Sequence, residues 1–156
     1  MNPDTPPVEP FRWTDAYLLG YPPMDDTHRE FVELVAAMLS ATDENIDVTL
    51  AEFILHAERH FEQERAWMAE TSFPPMDCHV DEHNAVMASL RQVEALNSDR
   101  KPEIIRSLAR ELVRWFPGHA DYLDSALAQW MAKRRMGGVP VVLRRKDPED
   151  APKSET

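Results

Sequence analysis

The chain of 156 residues is long enough for one domain with a buried core, and its 43% hydrophobic content is that of a globular protein rather than a disordered one. The formal net charge of -11 argues against nucleic acid and anionic membranes as partners, since both are negative themselves, and it favours a monomer. One cysteine excludes an internal disulfide, and no apolar run approaches the roughly 20 residues that span a bilayer. Because the first residues also lack the features of a secretory signal, we expect a cytoplasmic protein.

The first 24 residues predict no helix. Residues 1–10 are rich in proline and acidic side chains and are expected to form a flexible tail. Residues 11–24 contain several aromatic side chains and end near the pair Pro22-Pro23, which opposes a helix at that point. We therefore expect residues 11–24 to form an extended arm laid over the domain.

Four amphipathic helices are predicted after this arm, because apolar residues recur at the spacing of one helical face. Their expected ranges are 25–41, 48–70, 77–96 and 102–135. Connections this short place successive helices antiparallel. The expected fold is therefore all-α, an up-down-up-down four-helix bundle with an extended N-terminal arm, over residues 11–136. A polar C-terminal tail is expected over residues 137–156.

One proline lies inside the fourth predicted helix. Pro117 has no N–H group to donate to the carbonyl of Val113. A kink or a split is therefore expected just before His119.

Seven histidine and acidic side chains lie on the predicted buried faces, and every helix supplies at least one. His60 and Glu64 are four residues apart, so both project from one helical face, and the third helix carries a second such pair. The seven candidates are His28, His60, Glu64, His79, His83, His119 and Asp124. A lone buried histidine is more often a hydrogen-bonded core residue, but seven such residues in register indicate a metal centre inside the bundle.

The number and type of these candidates indicate two metal ions. Five imidazoles and two carboxylates are too many ligands for one ion, whereas two ions bridged by the carboxylates use all seven. Mixed imidazole and carboxylate ligation favours iron or manganese over a structural zinc site, which usually has four ligands rich in cysteine. A dinuclear cation would also offset the cost of burying two carboxylates.

The spacing between His119 and Asp124 does not fit a regular helix. Five residues on an α-helix leave their side chains roughly 140° apart. Both side chains can reach one cluster only from different sides of it, or if the helix is locally of the π type, in which residues five apart align.

The order and spacing of these elements resemble the hemerythrin family, specifically its bacterial single-domain members, over about residues 11–131. The matching elements are, in chain order, Phe11-x-Trp13, Gly20, Asp25-x-x-His28, His60-Phe61-x-x-Glu64, Phe73-Pro74, His79-x-x-x-His83 and Trp115-x-x-x-His119-x-x-x-x-Asp124. The resemblance implies two non-haem iron ions, bridged by Glu64, Asp124 and an oxo or hydroxo group. The implied ligands of one iron are His79, His83 and His119, and those of the other are His28 and His60.

The function that the resemblance implies is reversible binding of dioxygen at the second iron, which keeps an open position. The protein would then be an oxygen carrier, store or supplier, with an oxygen-using client protein as a further partner. Phe61 and Phe116 are the candidates for the wall of the oxygen pocket.

The family commonly has Trp-Leu-x-x-His-Ile in its last helix, where this chain has Phe116 after the tryptophan and Ala120 after the histidine. We expect these exchanges to alter oxygen access and autoxidation.

Two other functions are compatible with the same ligands. A di-iron peroxidase or oxidase would need a proton donor near the open iron, for which His56 and Tyr122 are the candidates. A sensor of oxygen, redox state or iron usually carries an output domain, which we do not expect here. The carrier is therefore the favoured interpretation.

Overall fold

The regular structure of the chain is helical in a computed structural model, which describes residues 10–138 and 142–143. The helices are α1 (Pro22–Ser40), α2 (Ile46–Glu70), α3 (Met76–Glu94), α4 (Lys101–His119) and α5 (Ser125–Arg135), with a five-residue π-helical segment, Ala120–Asp124, between α4 and α5. Because α4, the π-helical segment and α5 follow one another without a break, they form one rod. Four rods then pack as a four-helix bundle, which confirms the predicted fold.

The two predicted tails fall mostly outside the described residues, and the predicted domain boundaries stay predictions. Within the described part of the chain, no helix combines the length and the apolar composition that crossing a membrane requires.

The first helix begins earlier than the sequence predicted. It starts at Pro22 rather than near Asp25. Two prolines occupy its first turn, and they are tolerated there because N–H groups in the first turn have no hydrogen-bond partner within the helix. The preceding arm contains only one short 3-10 helix, Asp15–Tyr17. Asp25 anchors the arm, since its carboxylate accepts hydrogen bonds from the N–H groups of Leu19 (2.8 Å) and Gly20 (3.0 Å). Gly20 has a φ of 85°, in the region that glycine adopts without steric cost, and this bend accompanies the two bonds.

The disturbance expected near Pro117 begins after His119, not before it. α4 runs through Pro117 to His119, so the helix is not split where the sequence predicted. The chain instead widens into the π-helical segment at Ala120. Of the two arrangements that the sequence left open, the structure has the local π geometry. It brings two side chains five residues apart to one side of the rod, with His119 Nε2 3.2 Å from Asp124 Oδ1.

The core consists of two apolar clusters separated by a polar layer. On α1, His28 lies between Met24, which belongs to the smaller cluster, and Phe31, which belongs to the larger. On α2, Glu64 lies in the same way between Phe61 of the larger cluster and Trp67 of the smaller. Helices of opposite direction therefore place polar side chains at the same level of the bundle, where each is surrounded by apolar packing.

Candidate metal centre

The seven ligand candidates converge in this polar layer, and none is more than 5% exposed. They form two overlapping groups in which the ligand atoms all lie within 4.8 Å of one another. The larger group is Glu64, His79, His83, His119 and Asp124, and the smaller is His28, His60 and Glu64. The structure therefore brings all seven ligand candidates together, and their role as metal ligands stays a prediction.

Glu64 presents one carboxylate oxygen to each group of histidines. Its Oε1 lies 3.1 Å from His60 Nε2 and 3.7 Å from His28 Nε2. Its Oε2 lies 3.4 Å from His79 Nε2 and 3.2 Å from His83 Nε2. The carboxylate thus spans the boundary between the two groups.

The two carboxylate oxygens of Asp124 also face different histidines. Its Oδ2 lies 3.0 Å from His28 Nε2, while its Oδ1 lies 2.9 Å from His79 Nε2 and 3.2 Å from His119 Nε2. Each carboxylate thus has one oxygen beside His28 and the other beside histidines of the larger group, the arrangement expected of ligands that are shared by two cations.

Several of these short contacts are not hydrogen bonds. The Nε2 atoms of His28 and His79 and both oxygens of Asp124 are buried without a hydrogen-bond partner, although each Nε2 lies about 3 Å from one of these oxygens. Unpaired buried polar atoms cost about 1–3 kcal/mol each. Atoms that lie this close without hydrogen-bond geometry are arranged around common points between the side chains, as metal ligands are. A cation with nitrogen and oxygen ligands, such as iron or manganese, fits this donor set.

Electrostatics within the cluster favour charged carboxylates. Burial opposes the ionisation of Glu64, but the surrounding imidazoles, His60 first among them, outweigh burial and hold its pKa well below the usual range. The pKa of Asp124 is also well below its usual value, although burial and the neighbouring Glu64 oppose this, because His119 and His28 lie next to it. The layer therefore holds two negative charges that attract cations.

The same carboxylates favour the protonated forms of His28 and His79 when no metal is bound. Burial opposes the charge on His28, yet Asp124 and Glu64 outweigh burial and raise the pKa of this histidine to about 10. The balance is similar for His79, whose pKa is raised to about 9. Metal ions that bind here would displace these protons, because a nitrogen ligand must be deprotonated.

The two phenylalanines predicted for the pocket wall both contact ligand candidates. Phe61 stacks on His83, with ring centroids 3.9 Å apart, and lines a surface groove of about 490 Å³ between α2 and α3. Phe116 lies perpendicular to the His28 ring at 5.3 Å and is 1% exposed. His83 lines the same groove beside Phe61, whereas Phe116 packs inside the core. Their role at an oxygen pocket stays a prediction.

One carboxylate that the sequence pattern did not single out also contacts the cluster. Glu82 Oε1 accepts a hydrogen bond from His119 Nδ1 at 2.9 Å. Trp115 stacks on the same imidazole, with ring centroids 4.2 Å apart. Because Glu82 lies on α3 and His119 on α4, no spacing along the chain indicates this contact.

A four-helix bundle that buries five histidines and two shared carboxylates belongs to the class of metal-binding helical bundles. The model of the hemerythrin HHE cation binding domain matches residues 19–131, and the chain belongs to the hemerythrin family. The chain is 37% identical over 123 residues to a bacteriohemerythrin of Ralstonia nicotianae, a match that covers 79% of this chain and 90% of that protein. It is 30% identical over 90 residues to a hemerythrin of Sipunculus nudus, covering 58% of this chain and 73% of that one. No solved structure matches it significantly.

Proposed function

We propose that the polar layer binds two iron ions and that the protein binds dioxygen reversibly, as a carrier, store or supplier. The observation that carries this proposal is the division of the oxygens of Glu64 and Asp124 between two groups of histidines. Two ions about 3.5–4 Å apart need ligands that reach both, whereas one ion does not. Iron in these positions would supply the redox chemistry by which dioxygen is taken up and released.

The two groups of histidines differ in size, which would make the two ions unequal. With both carboxylates shared, three histidines (His79, His83 and His119) complete one set of five protein ligands. Only two histidines, His28 and His60, complete the other set. An ion beside His28 would therefore have fewer protein ligands and would be the one with room for a small molecule. Phe116, against the His28 ring, is the internal wall on that side.

Reversible binding is favoured over peroxide turnover, because neither candidate proton donor suits an enzyme. Tyr122 is 81% exposed and so lies outside the buried layer. His56 is close, with its ring 5.4 Å from that of His60, but burial, followed by the charges of His60 and His28, lowers its pKa to about 4. A neutral imidazole at pH 7 cannot serve as the acid that cleavage of peroxide requires.

Iron content and absorption spectra through cycles of oxygenation test this function. The purified protein is reduced without oxygen, exposed to air and then degassed, over repeated cycles. We expect two irons per chain and a visible charge-transfer band that appears in air and disappears on degassing. A single irreversible oxidation would instead favour peroxide turnover or sensing, and a protein that binds no iron would contradict the ligand assignment.

The substitution Phe116→Leu should accelerate autoxidation several-fold, because a smaller side chain opens space beside His28 for water and protons. The decay of the oxygenated spectrum in air measures this rate. Phe53→Leu is a matched control, since Phe53 is also fully buried and packs against Phe31 rather than against a ligand candidate. Each variant should lose about 1 kcal/mol of stability from the core, but only Phe116→Leu should autoxidise faster. An unchanged rate in Phe116→Leu would remove Phe116 from the pocket.

A further inference from the structure

His119 differs from three other ligand candidates in having a carboxylate at its outer nitrogen. Its Nδ1 lies 2.9 Å from Glu82 Oε1, while its Nε2 faces the cluster, 3.2 Å from Asp124 Oδ1. By contrast, the Nδ1 atoms of His28, His60 and His79 are buried with no hydrogen-bond partner. The contact with Glu82 is therefore specific to one ligand of the larger group.

Two neighbours constrain the His119 ring, and they act on different degrees of freedom. Trp115, one helical turn earlier, stacks on the imidazole with the ring planes 23° apart and so fixes the plane of the ring. Stacking alone would equally allow the flipped ring, in which carbon atoms replace both nitrogens. The hydrogen bond to Glu82 requires Nδ1 on the outer edge, so it places Nε2 on the inner edge. Because Nδ1 then carries the proton, Nε2, which lies 3.0 Å from His83 Nε2 inside the cluster, keeps a lone pair that can bind a metal.

We infer that Glu82 is a positioning residue of the metal centre, which holds His119 in the Nδ1–H tautomer with Nε2 directed inward. A carboxylate at the outer nitrogen also makes the imidazole a stronger donor to a metal. The inference rests on the proposed function, because it takes His119 as a ligand. Its effect falls on the ion of the larger group, which contains His79 and His83. The Glu82 side chain is 39% exposed, so its replacement removes little core packing.

Zinc binding and nuclear magnetic resonance of the full chain test this role, since zinc is diamagnetic and accepts nitrogen and oxygen ligands. The variants are Glu82→Ala and Glu82→Gln. Asp81→Asn is the matched control, because Asp81 is the exposed neighbour of Glu82 on α3 and its replacement removes the same charge. Competition with a chromophoric chelator gives the affinity of each zinc site.

We expect Glu82→Ala to weaken one of two zinc sites by roughly 10–100-fold, the range found for such supporting carboxylates. Glu82→Gln should recover part of this loss, because its amide oxygen still accepts a hydrogen bond from Nδ1–H. Asp81→Asn should keep both affinities. In zinc-loaded wild-type protein the His119 Nδ1 proton should give a slowly exchanging signal, and in Glu82→Ala that proton should exchange faster with water.

The outcomes separate the role of Glu82 from the proposed function. If the wild-type chain binds two zinc ions and Glu82→Ala matches Asp81→Asn in affinity and in the exchange of the Nδ1 proton, only the role of Glu82 is overturned. If the wild-type chain binds no zinc and no iron, the metal centre itself is overturned, and the role of Glu82 with it. If iron is bound without a reversible response to air, the oxygen-binding function fails while the zinc measurements still decide the role of Glu82.

Discussion

Removal of the metal should lower the melting temperature of the protein by at least about 10 °C. Each ion, at a free concentration a thousandfold above its Kd, adds about 4 kcal/mol to the free energy of unfolding. In a chain of this size, a loss of about 1 kcal/mol in that free energy lowers the melting temperature by about 2–4 °C. The reason lies in the polar layer, where five imidazoles and two carboxylates are buried together. Without cations, protons and imperfect contacts between the side chains must compensate for this burial. Calorimetry of the protein before and after chelation measures the difference.

The stability of the metal-free protein should also fall as the pH rises above 6.5. The pKa values of His28 and His79 are raised from 6.5 to about 10 and about 9, so the folded chain holds these protons more tightly than the unfolded chain. Their contribution to stability is complete below pH 6.5 and is lost as the pH rises through 9 and 10. Metal binding has the opposite dependence, because the ions displace those protons. The gap between the melting temperatures of the loaded and metal-free proteins should therefore widen from pH 6.5 to pH 9.

The substitution His56→Gln is the control for this dependence on pH. His56 is the histidine outside the cluster, and burial lowers its pKa to about 4, so it is neutral in the folded protein throughout this range. The variant should show the same widening gap. A metal-free protein that becomes more stable between pH 6.5 and 9, or equal melting temperatures with and without metal, would contradict the cluster as a site for cations.

The histidines and acids of the layer could be predicted from the sequence because their spacing follows helical geometry. His60 and Glu64 stand one turn apart on α2, so the pattern alone places both on one face. On a regular α-helix, the same reasoning would not place Asp124 and His119 on one face. The π-helical segment between them brings the two side chains together. A misfit in spacing at a site was in this case the signal of a local change in helix type.

Features that depend on contacts between elements were not predictable in this way. The hydrogen bond from His119 to Glu82 joins two helices, and nothing within either helix marks Glu82 as different from an exposed acid. The start of α1 was missed for another reason. Proline was taken as a helix breaker, whereas at Pro22 it occupies a position at which a helix has no N–H bond to lose. Whether a proline breaks a helix therefore depends on its position within the helix.

The substitution Glu64→Gln should reduce the iron content from two ions per chain to at most one and abolish the reversible spectral change in air. The amide has nearly the shape of the carboxylate but only one oxygen, and its nitrogen has neither a free lone pair nor a negative charge. In the native chain Oε1 lies beside His60 and Oε2 beside His83, so one oxygen cannot serve both groups. Metal analysis of the purified variant, with the spectra of the oxygenation cycle, measures the loss.

Glu62→Gln is the matched control for Glu64→Gln. Glu62 lies two residues earlier on the exposed face of α2, where it accepts a hydrogen bond from Arg65 at 2.8 Å. Its replacement removes the same charge from the same helix, so this variant should keep two irons. Removal of one partner from a group of buried charges can lower the free energy of unfolding by about 3–5 kcal/mol. Circular dichroism therefore has to establish that Glu64→Gln is folded. If Glu64→Gln does not fold, Asp124→Asn makes the same test, since its second oxygen is lost in the same way. Two tightly bound irons in either variant would show that the replaced carboxylate does not bridge the two ions.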